Sequence, residues 1–247
     1  MRLSIASVLT AALLVTSPAL SAGGAGKLKD HEFSFDGMFG AYDQGELQRG
    51  YQIYEQACSA CHGMKHVAFR ALGEKNGPGF SAAEVQAIAA NFDVPDEEGE
   101  PGDLRPAKAF DYFPTPLASG NPPDMSLLAK ARAGGALHIY SVLLGYTGEE
   151  KEVGGAYLYE NTGYGGYFGM AQPIYEGDIE YSDGSPETLE QYANDISAFL
   201  KWAAEPTLVE RKQAGVWSLG FLILFATLVW FTNRRVWAKV KHPENHG

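Results

Sequence analysis

The chain contains two cysteines, three residues apart, with a histidine directly after the second: Cys58-Ser59-Ala60-Cys61-His62. Cys-x-x-Cys-His is the attachment signature of a c-type haem. On a helix Cys58 and Cys61 lie one turn apart on one face, so two thiols can add to the two vinyl groups of one porphyrin. His62, four residues after Cys58, falls on the same side and can offer an imidazole nitrogen to iron. A zinc site would need further ligands, and there is no third cysteine. A thioredoxin-like dithiol would open a helix after a strand, whereas here a helical pattern precedes the pair. One-electron transfer through a covalent haem is the chemistry these residues suit.

A haem held at His62 has a sixth position to fill. Methionine there makes a high-potential carrier, a second histidine a lower-potential one, and an open site a ligand-binding centre. His66 is too close to His62 to reach the opposite face, and His242 and His246 lie near the C-terminus; His138 remains a candidate. Among the methionines, Met64 adjoins His62, Met125 starts an apolar helical pattern that reads as core, and Met38 precedes the first helix. Met170 sits in Asn161-Thr162-Gly163-Tyr164-Gly165-Gly166-Tyr167-Phe168-Gly169-Met170. Glycines there permit close backbone approach to a flat ligand, and the aromatics can wall a pocket. A Gly-rich loop with a packing methionine is the plainer alternative.

These groups must be positioned by mainly helical elements. Leu47, Gly50, Tyr51, Tyr54 and Ala57 recur at helical spacing and lead into the cysteine motif. Ser81 and Glu84 form a capping box ahead of Val85, Ile88 and Phe92. Val94 to Pro123 holds seven of the chain's 13 prolines and the acidic run from Asp96 to Asp103, which predicts an irregular, exposed stretch. Asp124 is expected to cap a helix through Arg132, and Ala136 to Tyr146 reads as another. Ser185-Pro186-Glu187 reads as an N-cap and N1 proline opening a helix that buries Leu189, Tyr192, Ile196, Phe199 and Leu200. No internal repeat and no strong strand pattern is visible.

The termini place this domain outside the cytoplasm. Residues 1–22 carry Arg2, an apolar core from Ile5 to Val15 and a small-residue end, the layout of a secretory signal peptide. Ala214 to Phe231 carries no charge and as a helix would run about 27 Å, enough to cross the hydrocarbon of a bilayer. Residues 207–233 therefore read as a transmembrane anchor and 234–247, with Arg234, Arg235, Lys239 and Lys241, as a basic cytoplasmic tail. Between leader and anchor, residues 27–206 hold 12 Lys/Arg against 28 Asp/Glu, a net charge of -16. Such a head is large enough for one domain with its own core and repels nucleic acid. Its acidity suits docking of a basic partner, or solubility alone.

The sequence resembles the cytochrome c1 family. The resemblance rests on Cys58 to His62, on Asn121-Pro122-Pro123-Asp124 followed by Ala131-Arg132, and on Gly169-Met170-Ala171-Gln172-Pro173-Ile174-Tyr175. Tyr181 to Pro186, Phe199 to Pro206 and the anchor directly after extend it. It implies a cytochrome c-like haem domain with loop insertions plus one C-terminal transmembrane helix. It further implies the c-type haem subunit of a bacterial bc1 complex, taking electrons from the Rieske iron-sulfur protein beside cytochrome b and passing them to a soluble c-type cytochrome. The head would face the periplasm from the inner membrane. By the same resemblance Met170 is the sixth ligand, Arg132 contacts a haem propionate and Pro122 packs by the haem. Some bacterial members carry an extra cysteine pair near the methionine; this chain has none. A free-standing membrane-anchored cytochrome or an oxidase subunit would use the same motif and anchor, and a haem-based sensor or peroxidase would leave Met170 structural.

Overall fold

The computed structural model describes residues 26–117 and 120–241; the expected signal peptide and residues 242–247 of the basic tail lie outside them. Two helices frame the head. Helix α1 (Gln44–Ile53) is capped by Asp43, whose carboxylate accepts from the Glu46 amide. It packs along α5 (Leu189–Ala204), the longest helix of the head, from the other end of the domain. Gly50 makes their close crossing possible: a Cβ there would run into the Asp195 carbonyl. The crossing is locked by Asp195, fully buried on α5, which receives the Arg49 guanidinium at 2.8 Å and the Tyr181 hydroxyl at 2.9 Å. Arg49 also reaches Asp183, whose carboxyl is held down at about 2 by Ser185 and by that guanidinium.

Around this pair lie a π-helical turn (Tyr54–Cys58), a 3-10 turn (Phe69–Gly73) and α2 (Ala82–Ala90), which opens on the expected Ser81–Glu84 capping box. The short α3 (Leu128–Ala131) and α4 (Ala136–Leu143) both lean on α5. Tyr54, Phe69, Phe113, Phe199 and Trp202 are fully buried and form the aromatic centre, with the Phe69 and Phe113 rings 4.1 Å apart. Helix α6 (Leu208–Lys241) leaves the head as one continuous rod. Leu208 is buried, and the Lys212 ammonium donates to the carbonyls of Phe35, Gly37 and Gly40; from Trp217 to Ala238 every residue is exposed. Residues 208–238 are long and apolar enough to cross a membrane.

Several expectations need correcting. Strands do exist: β1 (Asp93–Pro95) pairs with β2 (Leu104–Pro106), and β3 (Tyr146–Val153), β4 (Ala156–Asn161) and β5 (Gly166–Phe168) form an antiparallel sheet. The β3–β4 hairpin stands out from the head with most side chains exposed, so no buried face imposes an apolar alternation. Its turn was nonetheless legible, since Gly154 and Gly155 at φ 62° and 84° are the two-glycine loop that hairpins favour. The Val94 to Pro123 stretch is less loose than expected: the acidic run caps the β1–β2 hairpin, while Val94, Ala107 and Phe113 are buried. Asp124 does not start a helix through Arg132. Its carboxylate is taken by the amides of Lys65 and Ser126, leaving one helical turn at Leu128–Ala131. Helix α4 stops at Leu143 rather than Tyr146, which opens β3. The N-cap of α5 is Thr188, not Ser185, because Asp183 engages the Ser185 hydroxyl and amide and the Glu187 carboxylate is drawn to the Tyr181 amide.

Candidate haem site

The cysteine motif grows directly out of α1. The helix widens at Tyr54, where the Ser59 amide reaches back five residues to the Tyr54 carbonyl at 2.8 Å. Such π-turns cluster at functional sites because they rotate the following residues out of helical register. Cys58 thus ends the widened turn, and the amides of Cys61 and His62 both close on its carbonyl at 3.1 and 2.9 Å. The pair therefore lies on a single tight turn rather than on a regular helix. Cys58 faces the core and Cys61 solvent; burial first, and the neighbouring Cys61 second, push the Cys58 thiol up to about 12.

His62 is held from two sides. The buried Tyr54 hydroxyl donates to its backbone carbonyl at 2.9 Å, and its ring Nδ1 stands 2.8 Å from the Pro123 carbonyl. A carbonyl only accepts, so Nδ1 donates, and Nε2 has no protein partner among the described residues. This is the arrangement in which an imidazole ligates a metal, with the second nitrogen oriented by a backbone oxygen.

The loop that supplies the Pro123 carbonyl is stitched to the motif residue by residue. Met125 donates its amide to the Gly63 carbonyl at 2.8 Å, Asp124 accepts from the Lys65 amide at 3.0 Å, and the buried Ser126 hydroxyl accepts from the His66 amide at 3.0 Å. Burial works against the ionised Asp124, yet these donors outweigh it and hold its carboxyl below the usual range. Pro122, half-buried, precedes Pro123 in this loop, so Cys58, Cys61, His62 and Pro122 fall together. None of the stitching was foreseen from the residues. Asp124 reads as a helix cap in the sequence, but the amide it accepts from at Lys65 lies about sixty residues upstream.

Arg132 and Met170 are carried by other elements. Arg132 follows α3, half-buried; its guanidinium meets no carboxylate within salt-bridge range among the described residues, and reaches only the Ala131 carbonyl at 3.4 Å. It lies close enough to His138 to make that ring harder to protonate, after burial, the larger cause. Met170 follows β5 and is half-buried; its carbonyl accepts from the Tyr146 hydroxyl at 3.1 Å. The glycine-rich run before it is tied to α4 by the buried Asn161, which donates to the Val142 carbonyl and accepts from the Tyr164 amide. Tyr164 and Phe168 stack with ring centres 4.7 Å apart. No hydrogen bond among the described residues links this segment to residues 58–66. Of the other candidates, Met125 is buried in the core and Met38 is exposed beside the start of α6.

The donor set suits a haem c: two thiols at the attachment spacing and an imidazole with a free, pre-oriented Nε2. No cluster of three or more His, Cys, Asp or Glu among the described residues would hold a bare ion. A mostly helical domain with this motif, leading into one apolar helix of membrane length, is the architecture of a membrane-anchored c-type cytochrome. Residues 33–240 match the model of the Cytochrome C1 family. The chain belongs to that family, whose members hold haem c. It is 40% identical to cytochrome c1 of Cereibacter sphaeroides, over 93% of this chain and 94% of the relative. It is 35% identical to the mitochondrial cytochrome b-c1 complex catalytic subunit of Candida albicans, over 86% of this chain and 78% of that one. A cytochrome b/c1 of Bradyrhizobium diazoefficiens is 37% identical over 95% of this chain, which spans only 39% of that longer protein.

Proposed function

We propose that this chain is the haem-bearing electron-transfer subunit of a bacterial cytochrome bc1 complex, accepting electrons from the Rieske iron-sulfur protein and delivering them to a soluble c-type cytochrome. A bound haem c supplies the reversible ferrous–ferric couple. Cys58 and Cys61 would hold the group through two thioethers, and His62 would offer Nε2 to its iron, its ring kept from turning by the Pro123 carbonyl. Met170 would supply a thioether ligand, which favours the reduced state and raises the potential. Arg132, whose guanidinium meets no carboxylate among the described residues, would meet a propionate, and Pro122 would line the edge. Helix α6 tethers the head in the inner membrane with the head in the periplasm and the tail in the cytoplasm, after removal of residues 1–22.

The observation that carries this reading is the His62–Pro123 bond beside the cysteine pair, within a chain matched to the family over nearly its whole length. Mild-detergent extraction tests it. The chain should copurify with a cytochrome b and a Rieske protein in equal amounts, and the preparation should reduce a soluble cytochrome with quinol. Recovery of the chain alone, with quinol oxidation intact in a strain lacking it, overturns the assignment in favour of a free-standing cytochrome.

A further inference from the structure

The Lys212 ammonium, at the top of α6, sits in a cup of three backbone carbonyls, those of Phe35, Gly37 and Gly40. The loop that forms the cup is closed on itself: the Asp36 amide donates to the Phe33 carbonyl, the Ala41 amide to the Ser34 carbonyl, and the Asp36 carboxylate accepts from the Phe33 amide. Phe35 is buried against Phe33 and Tyr42. At the tip of this braced loop, Met38 is 60% and Phe39 83% exposed. Neither has an internal role in the head.

The position of the loop says what they face. Lys212 precedes the uncharged stretch by two residues, and Val216, one turn further on the same face, is half-buried, whereas every residue from Trp217 to Ala238 is exposed. The head therefore reaches down to the beginning of the membrane-length segment and no further. Trp217, 81% exposed, stands at the same level, and tryptophan favours the boundary between headgroups and hydrocarbon. Backbone carbonyls brought toward hydrocarbon must keep hydrogen-bond partners. Here Lys212 supplies them, its stem running along the helix and its charge spent on the loop.

We infer that the loop from Asp36 to Gly40 is a second membrane contact, in which Met38 and Phe39 enter the lipid interface beside α6 and, with Lys212, fix the tilt of the head on the bilayer. This rests on α6 being the membrane anchor. Two exposed apolar side chains at a loop tip beside the start of the apolar span suit a lipid interface, which needs no matching groove to receive them.

The test uses the full-length, haem-loaded chain, extracted with its copurifying subunits, in nanodiscs of phosphatidylethanolamine and phosphatidylglycerol. A nitroxide is placed in turn at Phe39→Cys, at Phe225→Cys in mid-span and at Leu104→Cys on the β1–β2 hairpin, Cys58 and Cys61 being consumed by the haem. Collision with oxygen, which concentrates in hydrocarbon, is compared with collision with a water-soluble nickel chelate. The ratio at position 39 should be several-fold above that at 104 and below that at 225, and adding Lys212→Met should lower it several-fold. A ratio at 39 equal to that at 104, with 225 still deep, overturns the lipid contact and leaves the anchor standing. A water-like ratio at 225 overturns the anchor itself. An unchanged ratio in the Lys212→Met background overturns the role given to the lysine. A label at 39 that is immobilised and shielded from both reagents places protein there and overturns the lipid assignment.

Discussion

At the scale of single residues, the imidazole of His62 depends on groups far away in sequence. Asp124 ties the Pro122-Pro123 loop to the Lys65 amide, and its ionised form makes that tie. Asp124→Ala should cost about 1–3 kcal/mol, since it leaves the Lys65 and Ser126 amides without their acceptor. Because the folded state lowers the carboxyl's pKa, the stabilisation is full above the unfolded value near 4 and fades as pH falls through the lower folded value. Wild type and variant should thus differ in denaturant midpoint at pH 7 and converge in acid; a gap independent of pH would mean that the carboxylate's charge is not involved. Met170→Leu tests the opposite face of the iron. Leucine has similar bulk and no lone pair, so haem should remain attached while the ferrous protein binds carbon monoxide. The midpoint potential should drop by roughly a tenth or more of the ~0.8 V range that axial ligation spans. An unchanged spectrum would move the ligand to His138 or Met125.

At the scale of elements, the head ends later than its composition suggests. The first turn of α6 contributes Leu208 to the core, and Lys212 its three carbonyl contacts. A chain stopped after Pro206 should still yield a soluble, haem-loaded head, because α1, α5 and every proposed ligand precede it. One stopped after Gln213 should melt higher. Burial of Leu208 alone is worth about 2 kcal/mol, and 1 kcal/mol shifts a domain of this size by about 2–4 °C, so a gap on the order of 5 °C is expected by calorimetry. Equal melting temperatures would show that the first turn only leads into the span. What was legible follows the same division. Helices α1, α2 and α5 announce themselves by apolar spacing, α2 also by its capping box, and the cysteine motif by three defined residues in five positions. The Pro123 carbonyl, the Asp195 lock and the strands flanking the Gly154-Gly155 turn do not. Backbone acceptors have no residue signature, ion pairs across 146 positions leave no local trace, and a hairpin exposed on both faces carries no periodicity.

For the whole molecule, the dominant property is the charge of -16 on residues 27–206 against +4 on residues 207–247. The hairpin tip bearing Asp96, Glu97, Glu98 and Glu100 is linked to the haem motif through residues 112–115: Tyr112 bridges Ala68, the Phe113 amide donates to the Val67 carbonyl, and Gly63 abuts Pro114 and Thr115. Oxidation of the reduced head by a basic soluble cytochrome should slow as ionic strength rises, with screening set by a Debye length of about 10 Å at 0.1 M salt. Replacing those four residues together by Asn and Gln should lower the low-salt rate constant on the order of tenfold, within the ~10–10³ range that steering supplies, and flatten the salt dependence. A salt slope that survives would put the steering charge elsewhere on the head.

The pairing of α1 with α5 also acts as a ruler. Cys58 to His62 continue α1, α1 is locked to α5, and α5 passes through Glu205, Leu208 and Lys212 into α6. On the proposed function, the height of the haem above the membrane would therefore be set by the two ends of the head. The exposed β3–β4 hairpin can lengthen or shorten at its Gly154-Gly155 tip without changing that height.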